Sequence, residues 1–395
     1  MPPASRQRRA WLRRAARLGA LPLLAARAGA ARAAPSVEPV RFGQNAPITG
    51  LAQHSGIEYS RGIKLAFEDA NARGGYNGRP LELVSYDDAS QAIEAVTNTR
   101  ELLDTEKVFA LMGYVGADAV ARCLPLALKA GVPFIAPLTG DESLRRTPAR
   151  ALFHLRPGDD SETGLIARTL ATMDFRRTAV LQQDDIDGAA ALQSLQRSLA
   201  SAGMPPPLAI ARVPHDANDR PEFAQREIGP AARRLLADGP QAVICLGGYA
   251  ITAAAVRHLR EAGFAGGCYA TSPSSAAAIG PLLGRHAAGL SITQVVPSPF
   301  DTSRPVVAAY QKRLAASGPA GPEYVSLEGW IAGRIVVEAL DRVGPVLTRE
   351  RFFAAMESLS GLDLGGFALR WDPAHRQYHS GVTLTVLDVN GRPRT

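Results

Sequence analysis

Two acidic clusters are the first places in this chain of 395 residues where side chains could do chemistry. Asp87-Asp88 follows an apolar run and could offer a carboxylate pair to a metal, but no other ligand lies near it in sequence. Helix capping or hydrogen bonding between lobes accounts for the pair as well. Asp184, Asp185 and Asp187 form the second cluster, in a turn between a strand and a helix where Asp caps readily, and a ligand-binding role stays open beside that one. His54, His154, His215, His258, His286, His375 and His379 are scattered and form no HxH or HExxH pair. There is no GxSxG elbow and no phosphate-binding GxxxxGK[ST] loop. The glycines at 74, 75 and 78 lack the strand-before-helix context of a dinucleotide fingerprint. Cys123, Cys245 and Cys268 have no metal-ligand spacing; Cys245 sits in an apolar run and reads as a buried thiol, and one disulfide among the three is possible. An enzyme would need a nucleophile–base pair or a metal-ligand set. Neither is found, so the expectation is a non-catalytic protein with no cofactor.

Three loops are stronger candidates: Ala46-Pro-Ile-Thr-Gly50, Gly113-Tyr-Val-Gly-Ala-Asp118 and Ala136-Pro-Leu-Thr-Gly140. Each follows an apolar strand, and each alone could be only a tight turn. Together, on one edge of one parallel sheet, they would form a shared site, because helix N-termini present free N–H groups there.

The elements that must position these loops follow from periodicity. Apolar runs at 40–43, 81–84, 108–112 and 132–135 alternate with helical stretches at 58–71, 92–103 and 118–130. In the first helix Tyr59, Ile63, Ala66, Phe67 and Ala70 make one apolar stripe. The rhythm restarts at Ser161, with helices at 161–173, 188–201, 230–237 and 251–262 and strands at 178–181, 208–211, 242–246 and 267–270. Two such series predict an α/β fold of two doubly wound parallel-sheet lobes. The segment 153–157 reads as a strand running into a hinge. After Gly289 come helical patterns at 304–316, 323–343 and 349–358 and a strand pair near 367–371 and 381–388.

The net charge of +7 is local. Residues 1–34 hold eight arginines and no acid, and the rest of the chain has 36 basic against 37 acidic residues, a net charge of −1. That balance offers no broad field for phosphate, so no nucleic-acid partner is expected. The segment 1–34 itself reads as a cleavable signal peptide. It has a basic start with a twin-arginine-like Arg8-Arg9-Ala10-Trp11-Leu12-Arg13, an apolar stretch at 18–26 and a small-residue site before Ala34-Pro35. No Cys near that site suggests a lipoprotein, and no later run of 18 or more apolar residues suggests a membrane span.

Longer stretches carry a family likeness: APITG at 46–50, RGIKLAFEDANARGGYNGRPLELVSYDD at 61–88, VFALMGYVGADAVA at 108–121, VPFIAPLTG at 132–140, FHLRPGDDSETG at 153–164, CLGGYA at 245–250 and RWDPAHRQYHSG near the C-terminus. With them, about residues 38–390 resemble the type I periplasmic binding proteins of the branched-chain amino acid (leucine/isoleucine/valine) branch. The resemblance implies two lobes joined by three crossovers, with residues 35–156 and 290–380 in the first and 157–289 and 381–395 in the second. It implies no cofactor, and a ligand held in the cleft between the lobes.

Carried over residue by residue, Ala117 takes the place of a side-chain donor to a ligand carboxylate. Leu138 and Gly140 stand where the family uses backbone groups and a Thr hydroxyl, and Thr139 beside them could supply that hydroxyl. Tyr249 matches a cleft tyrosine, and Tyr324 an aromatic wall residue. Ser274 (or Pro273) stands where amino-acid binders have a Glu for the ammonium. Asp187, where an aromatic is common, could replace that acid. Asp118 lies beside the carboxylate position and would repel an anion unless turned away as a cap. The expected ligand is thus a small amino acid, an amide or an aromatic acid, and the expected role is delivery to the membrane permease of an ATP-driven (ABC) importer from the periplasm. The same fold could instead serve a sensor that signals to a membrane receptor or kinase.

Overall fold

The structure, a computed structural model, describes residues 38–50, 52–146, 149–214, 221–379 and 381–394. The leader expected at 1–34 lies outside these residues. The first half alternates β1 (Val40–Ala46), α1 (Gln53–Ala72), β2 (Leu81–Asp87), α2 (Ala92–Asp104), β3 (Ala110–Met112), α3 (Ala117–Ala130), β4 (Phe134–Ile135), α4 (Ser143–Arg146) and β5 (Leu152–Phe153). The strands pair in parallel in the order β2-β1-β3-β4-β5.

The second half repeats the plan. It runs α5 (Asp159–Thr172), β6 (Thr178–Asp184), α6 (Ile186–Ser201), β7 (Ala209–Pro214), α7 (Pro221–Leu236), β8 (Ala242–Leu246), α8 (Tyr249–Glu261), β9 (Gly267–Ala270), α9 (Ala276–Leu283) and β10 (Leu290–Gln294). The chain continues with α10 (Pro305–Ser317), α11 (Tyr324–Val343), α12 (Arg349–Glu357), β11 (Arg370–Asp372), β12 (Gln377–His379), β13 (Thr383–Leu387) and β14 (Pro393–Arg394). The second sheet has the order β14-β13-β10-β9-β8-β6-β7, parallel except where β13 joins β10 and β14 joins β13. Both sheets therefore reverse their winding at the same place, between β1 and β3 and between β6 and β8. This is where an open parallel sheet forms a crevice at its carboxyl edge.

β8 and β10 are buried at every residue, as expected of strands covered on both faces. A fully buried Val, Leu or Ile in such a strand stabilises the fold by about 1.5–3 kcal/mol. The C-terminal helices return to the first lobe because α11 lies directly against α1. A Cβ built on Gly62 would stand 1.9 Å from the Ser326 carbonyl oxygen, and one on Gly329 would stand 2.2 Å from that of Tyr59. Sixteen of the 20 residues of α11 are buried, with Trp330 completely so.

Two expectations need correction. The boundary expected at 289/290 cuts off one strand too many, because β10 pairs with β9 and belongs to the second sheet. The second crossover therefore follows Gln294. The strands expected to pair with each other near 367–371 and 381–388 separate instead. β11 pairs with β12 as a small hairpin, while β13 crosses to β10. The hairpin stays with the first lobe, where His154 N–H donates to the Arg376 carbonyl at 3.0 Å.

Candidate functional site

A cavity of about 350 Å³ lies between the lobes at the two switch points. Its first-lobe wall comes from the loops after β1, β3 and β4. Beyond β3 and β4 the chain keeps parallel pairing without regular strand. Leu138 N–H donates to the Tyr114 carbonyl at 2.7 Å, and Gly116 N–H to the Leu138 carbonyl at 3.2 Å. Gly116 has φ +88°, a backbone that Gly adopts at little cost, and it turns the chain so that α3 starts with its N-terminus toward the cavity. The loop 136–141 is held from behind by buried Arg145. Its guanidinium donates to the carbonyls of Asp141 at 2.8 Å, Thr139 at 3.2 Å and Arg156 at 3.0 Å, and to Gln377 Oε1 at 3.0 Å. The second-lobe wall comes from the loops after β6, β8 and β9, with Asp185 capping α6 by accepting from Gly188 N–H at 2.7 Å.

The two walls meet at Asp187. Its carboxylate accepts from Ala117 N–H at 3.2 Å to each oxygen and from the Thr139 hydroxyl at 3.3 Å. Asp187 thus fills the place where a ligand carboxylate was expected, on the free N–H at the start of α3. The residue remains exposed to cavity water, yet protein crowds its carboxyl. Desolvation first, then the charge of Asp185, pushes its pKa up to about 6.

Other acids surround it. Asp159, at the start of α5, is pushed up to about 8, chiefly by desolvation and then by Glu162 and Asp187. Asp88 rises to about 6, mainly by burial, although it accepts from Ser90 N–H at 2.9 Å and from Asn45. Its neighbour Asp87 is held below the usual carboxylate range. Burial opposes that shift, but donors from Ala89, Thr49 and Ile48 outweigh it. Asp87 and Asp88 therefore act as local caps of the loops after β1 and β2. Asp118 faces Arg122 at 2.8 Å.

Beneath the cavity lies a buried ionic floor. Arg156 Nε is 3.2 Å from Glu328 Oε1, and Arg156 Nη2 donates to Ser272 Oγ at 2.7 Å. Glu162 accepts from Ser272 N–H at 2.8 Å and from the Ser272 hydroxyl at 2.9 Å. These bonds tie the first crossover, at 154–158, to both lobes.

Of the residues singled out in sequence, Asp118, Leu138, Thr139, Gly140, Asp187 and Tyr249 line the cavity. Ala117 contributes its N–H. Ser274 does not reach the wall: its hydroxyl is buried against Thr252 Oγ1 at 3.1 Å and the Gly247 carbonyl at 3.0 Å, and Pro273 lines the cavity in its stead. Tyr324 also lies off the wall, with its hydroxyl 3.0 Å from Thr385 Oγ1 and its neighbour Val325 lining the cavity. Sequence reasoning missed Asp159 and Arg156. Both sit in the Arg156-Pro-Gly-Asp-Asp160 stretch at the carboxyl end of β5, the same edge as the three loops, and that position is the signal that could have found them.

Ser275, His54 and Glu323 meet across the lobes and invite comparison with a catalytic triad. Ser275 Oγ and Glu323 Oε1, however, both approach the same His54 nitrogen, Nε2, at 3.1 Å. A relay needs the acid on one ring nitrogen and the nucleophile on the other, so this is an inter-lobe contact. All three cysteines are buried and free. Among the described residues no group of His, Cys, Asp and Glu is arranged to hold a metal, and no helix is long and apolar enough to cross a membrane.

The fold agrees with comparisons to known proteins. A possible leucine/isoleucine/valine-binding protein from Rhodopirellula baltica superposes with a TM-score of 0.81 at 26% identity, covering 92% of this chain and 98% of that one. An amino acid binding protein of Pseudomonas aeruginosa is 25% identical over 226 residues, 57% of this chain and 58% of the relative. A Leu/Ile/Val-binding protein homolog of Brucella abortus is 31% identical over 115 residues, 29% of this chain and 28% of the relative. The aligned parts thus span little more than half of the first relative and under a third of the second. The periplasmic binding protein family matches residues 39–392. The chain belongs to that family, whose members are solute-binding proteins rather than enzymes.

Proposed function

We propose that this chain binds one small polar solute in the cavity between its lobes and delivers it to the permease of an ABC importer. The observation that carries the reading is the cavity itself, placed at the switch points of both sheets and closed over by Asp187 of one lobe hydrogen-bonded to Ala117 and Thr139 of the other. A solute that touches both walls would favour the closed arrangement over an open one. Residues 1–34 would direct export to the periplasm. The names of the relatives point to the amino-acid class, but a ligand carboxylate would first have to displace Asp187 from Ala117.

The test is a thermal-shift screen of the chain without residues 1–34 against amino acids, amides, amines and aromatic acids. A true ligand at a hundredfold excess over Kd stabilises the fold by about 2.7 kcal/mol. A complete absence of shifts across that range would count against the proposal.

A further inference from the structure

Among the described residues, the cavity wall carries five carboxyl groups, Asp88, Asp118, Asp159, Asp185 and Asp187, and one cation, Arg156. Arg156 already faces Glu328 at 3.2 Å in the buried floor. Four of the acids accept hydrogen bonds from the chain: Asp88 from Ser90 N–H, Asp118 from Arg122, Asp185 from Gly188 N–H, and Asp187 from Ala117 and Thr139. Asp159 accepts none from any described residue. It is half-buried on the cavity wall against Gly140, where a Cβ would stand 1.8 Å from its Oδ1. The charges of Arg145 and Arg156 reach it but neither donates to it, and a desolvated carboxyl beside other acids with no internal donor is costly unless something from outside supplies a proton or a cationic N–H. The N–H at the start of α3, at Ala117, is taken by Asp187.

We infer that the solute is a small primary amine, amidine or guanidine whose cationic N–H group pairs with Asp159, and that it lacks a carboxylate seated on Ala117. An anion would enter a wall of five acids. A quaternary ammonium would want several aromatic faces, and Tyr249 is the one aromatic residue on the wall among the described residues. An N–H cation instead meets two acceptors of the second lobe, Asp159 at the start of α5 and Asp187 on α6, where both lie against the first-lobe loop at Thr139 and Gly140. The raised pKa of Asp159 fits a site that holds a proton until a cation replaces it. This inference rests on the reading of the cleft as the solute site.

The experiment compares putrescine and agmatine with 4-aminobutyrate, N,N′-diacetylputrescine, leucine and benzoate, by thermal shift and calorimetry on the chain without residues 1–34. An amine or guanidine is expected to bind at least tenfold more tightly than its acylated or carboxylated counterpart. Asp159→Asn should weaken it tenfold or more, while the unliganded variant melts no lower than the parent. In Asp187→Ala the Ala117 cradle is open, and leucine should bind more tightly than it does to the parent. Should leucine or benzoate bind the parent and Asp159→Asn equally well, with no preference for amines, the cation inference is overturned and the solute-binding reading stands. If no compound of any class binds, both fall.

Discussion

Replacing Asp187 with Ala removes the one side chain that hydrogen-bonds from the second-lobe wall to both Ala117 and Thr139. Two donors are lost, the Ala117 N–H at 3.2 Å and the Thr139 hydroxyl at 3.3 Å. These are long bonds to a carboxylate still exposed to cavity water, so each sits at the low end of the usual range, about 0.5–1 kcal/mol. Together they are worth about 1–2 kcal/mol, which moves an open–closed equilibrium about five- to thirtyfold toward open, since about 1.4 kcal/mol is tenfold. The removed group spans the lobes, so the loss should appear in their separation more than in the melting of either one. Single-molecule energy transfer between dyes on the exposed ends of α2 and α7 would read the open fraction, with small-angle scattering as a check on dimensions. The variant should be more open than the parent without ligand. An unchanged distribution would refute the claim that Asp187 holds the unliganded lobes together.

Further outcomes follow from the same geometry. Asp88, Asp159 and Asp187 have folded pKa values raised above the ordinary 3.8, to about 6, 8 and 6. The folded chain then binds protons that the unfolded chain has released, so stability present at low pH is lost as pH rises from about 4 through 6 to 8. The unliganded melting temperature should fall across that window, and Asp159→Asn should flatten its upper part; a melting temperature that climbs from pH 5 to 8 would contradict this. The groups facing Asp159 are Glu162, Asp187, Arg145 and Arg156, and a cation bound there should release a proton near pH 7, detectable as buffer-dependent binding enthalpy. His54 adds to the same trend. Burial lowers its pKa, but the hydrogen bond and charge of Glu323 outweigh that and raise it above the ordinary 6.5, so His54→Gln should lessen the loss as pH rises above that value. Gly62→Ala would place a methyl 1.9 Å from the Ser326 carbonyl and should cost about 1–3 kcal/mol or more in urea unfolding. A neutral Gly62→Ala would mean that α1 and α11 are not so close.

Much of the architecture was legible because parallel strands buried on both faces read as continuous apolar runs, as in Ala242–Leu246. The loops after β1, β3 and β4 were recognisable for the same reason, since Gly, Pro and small polar residues punctuate the ends of those runs. Leu290–Gln294 is just as buried, but a lobe boundary carries no apolar signature, and the boundary expected at 289/290 leaves these residues in the wrong lobe. Ser274 and Tyr324 show the limit of carrying positions over one by one. A shift of one residue, to Pro273 and to Val325, turns a side chain from the interior to the cavity, and pattern alone does not reveal that direction. In sequence nothing sets Asp159 apart from the acids beside it at 160 and 162. Only the fold shows that it faces a cavity shared with four other aspartates. Asp187 was legible as a site candidate standing where an aromatic is common, but its partners on the opposite lobe lie 70 and 48 residues away in sequence, beyond the reach of local pattern.

The most direct test of the central claim is native mass spectrometry of the chain purified, without unfolding, from cells that produce it. The account predicts one small molecule per chain, with a mass and charge matching an amine, amidine or guanidine, and its loss in Asp159→Asn. A chain that carries no solute there and gains none from the screened compounds would contradict it.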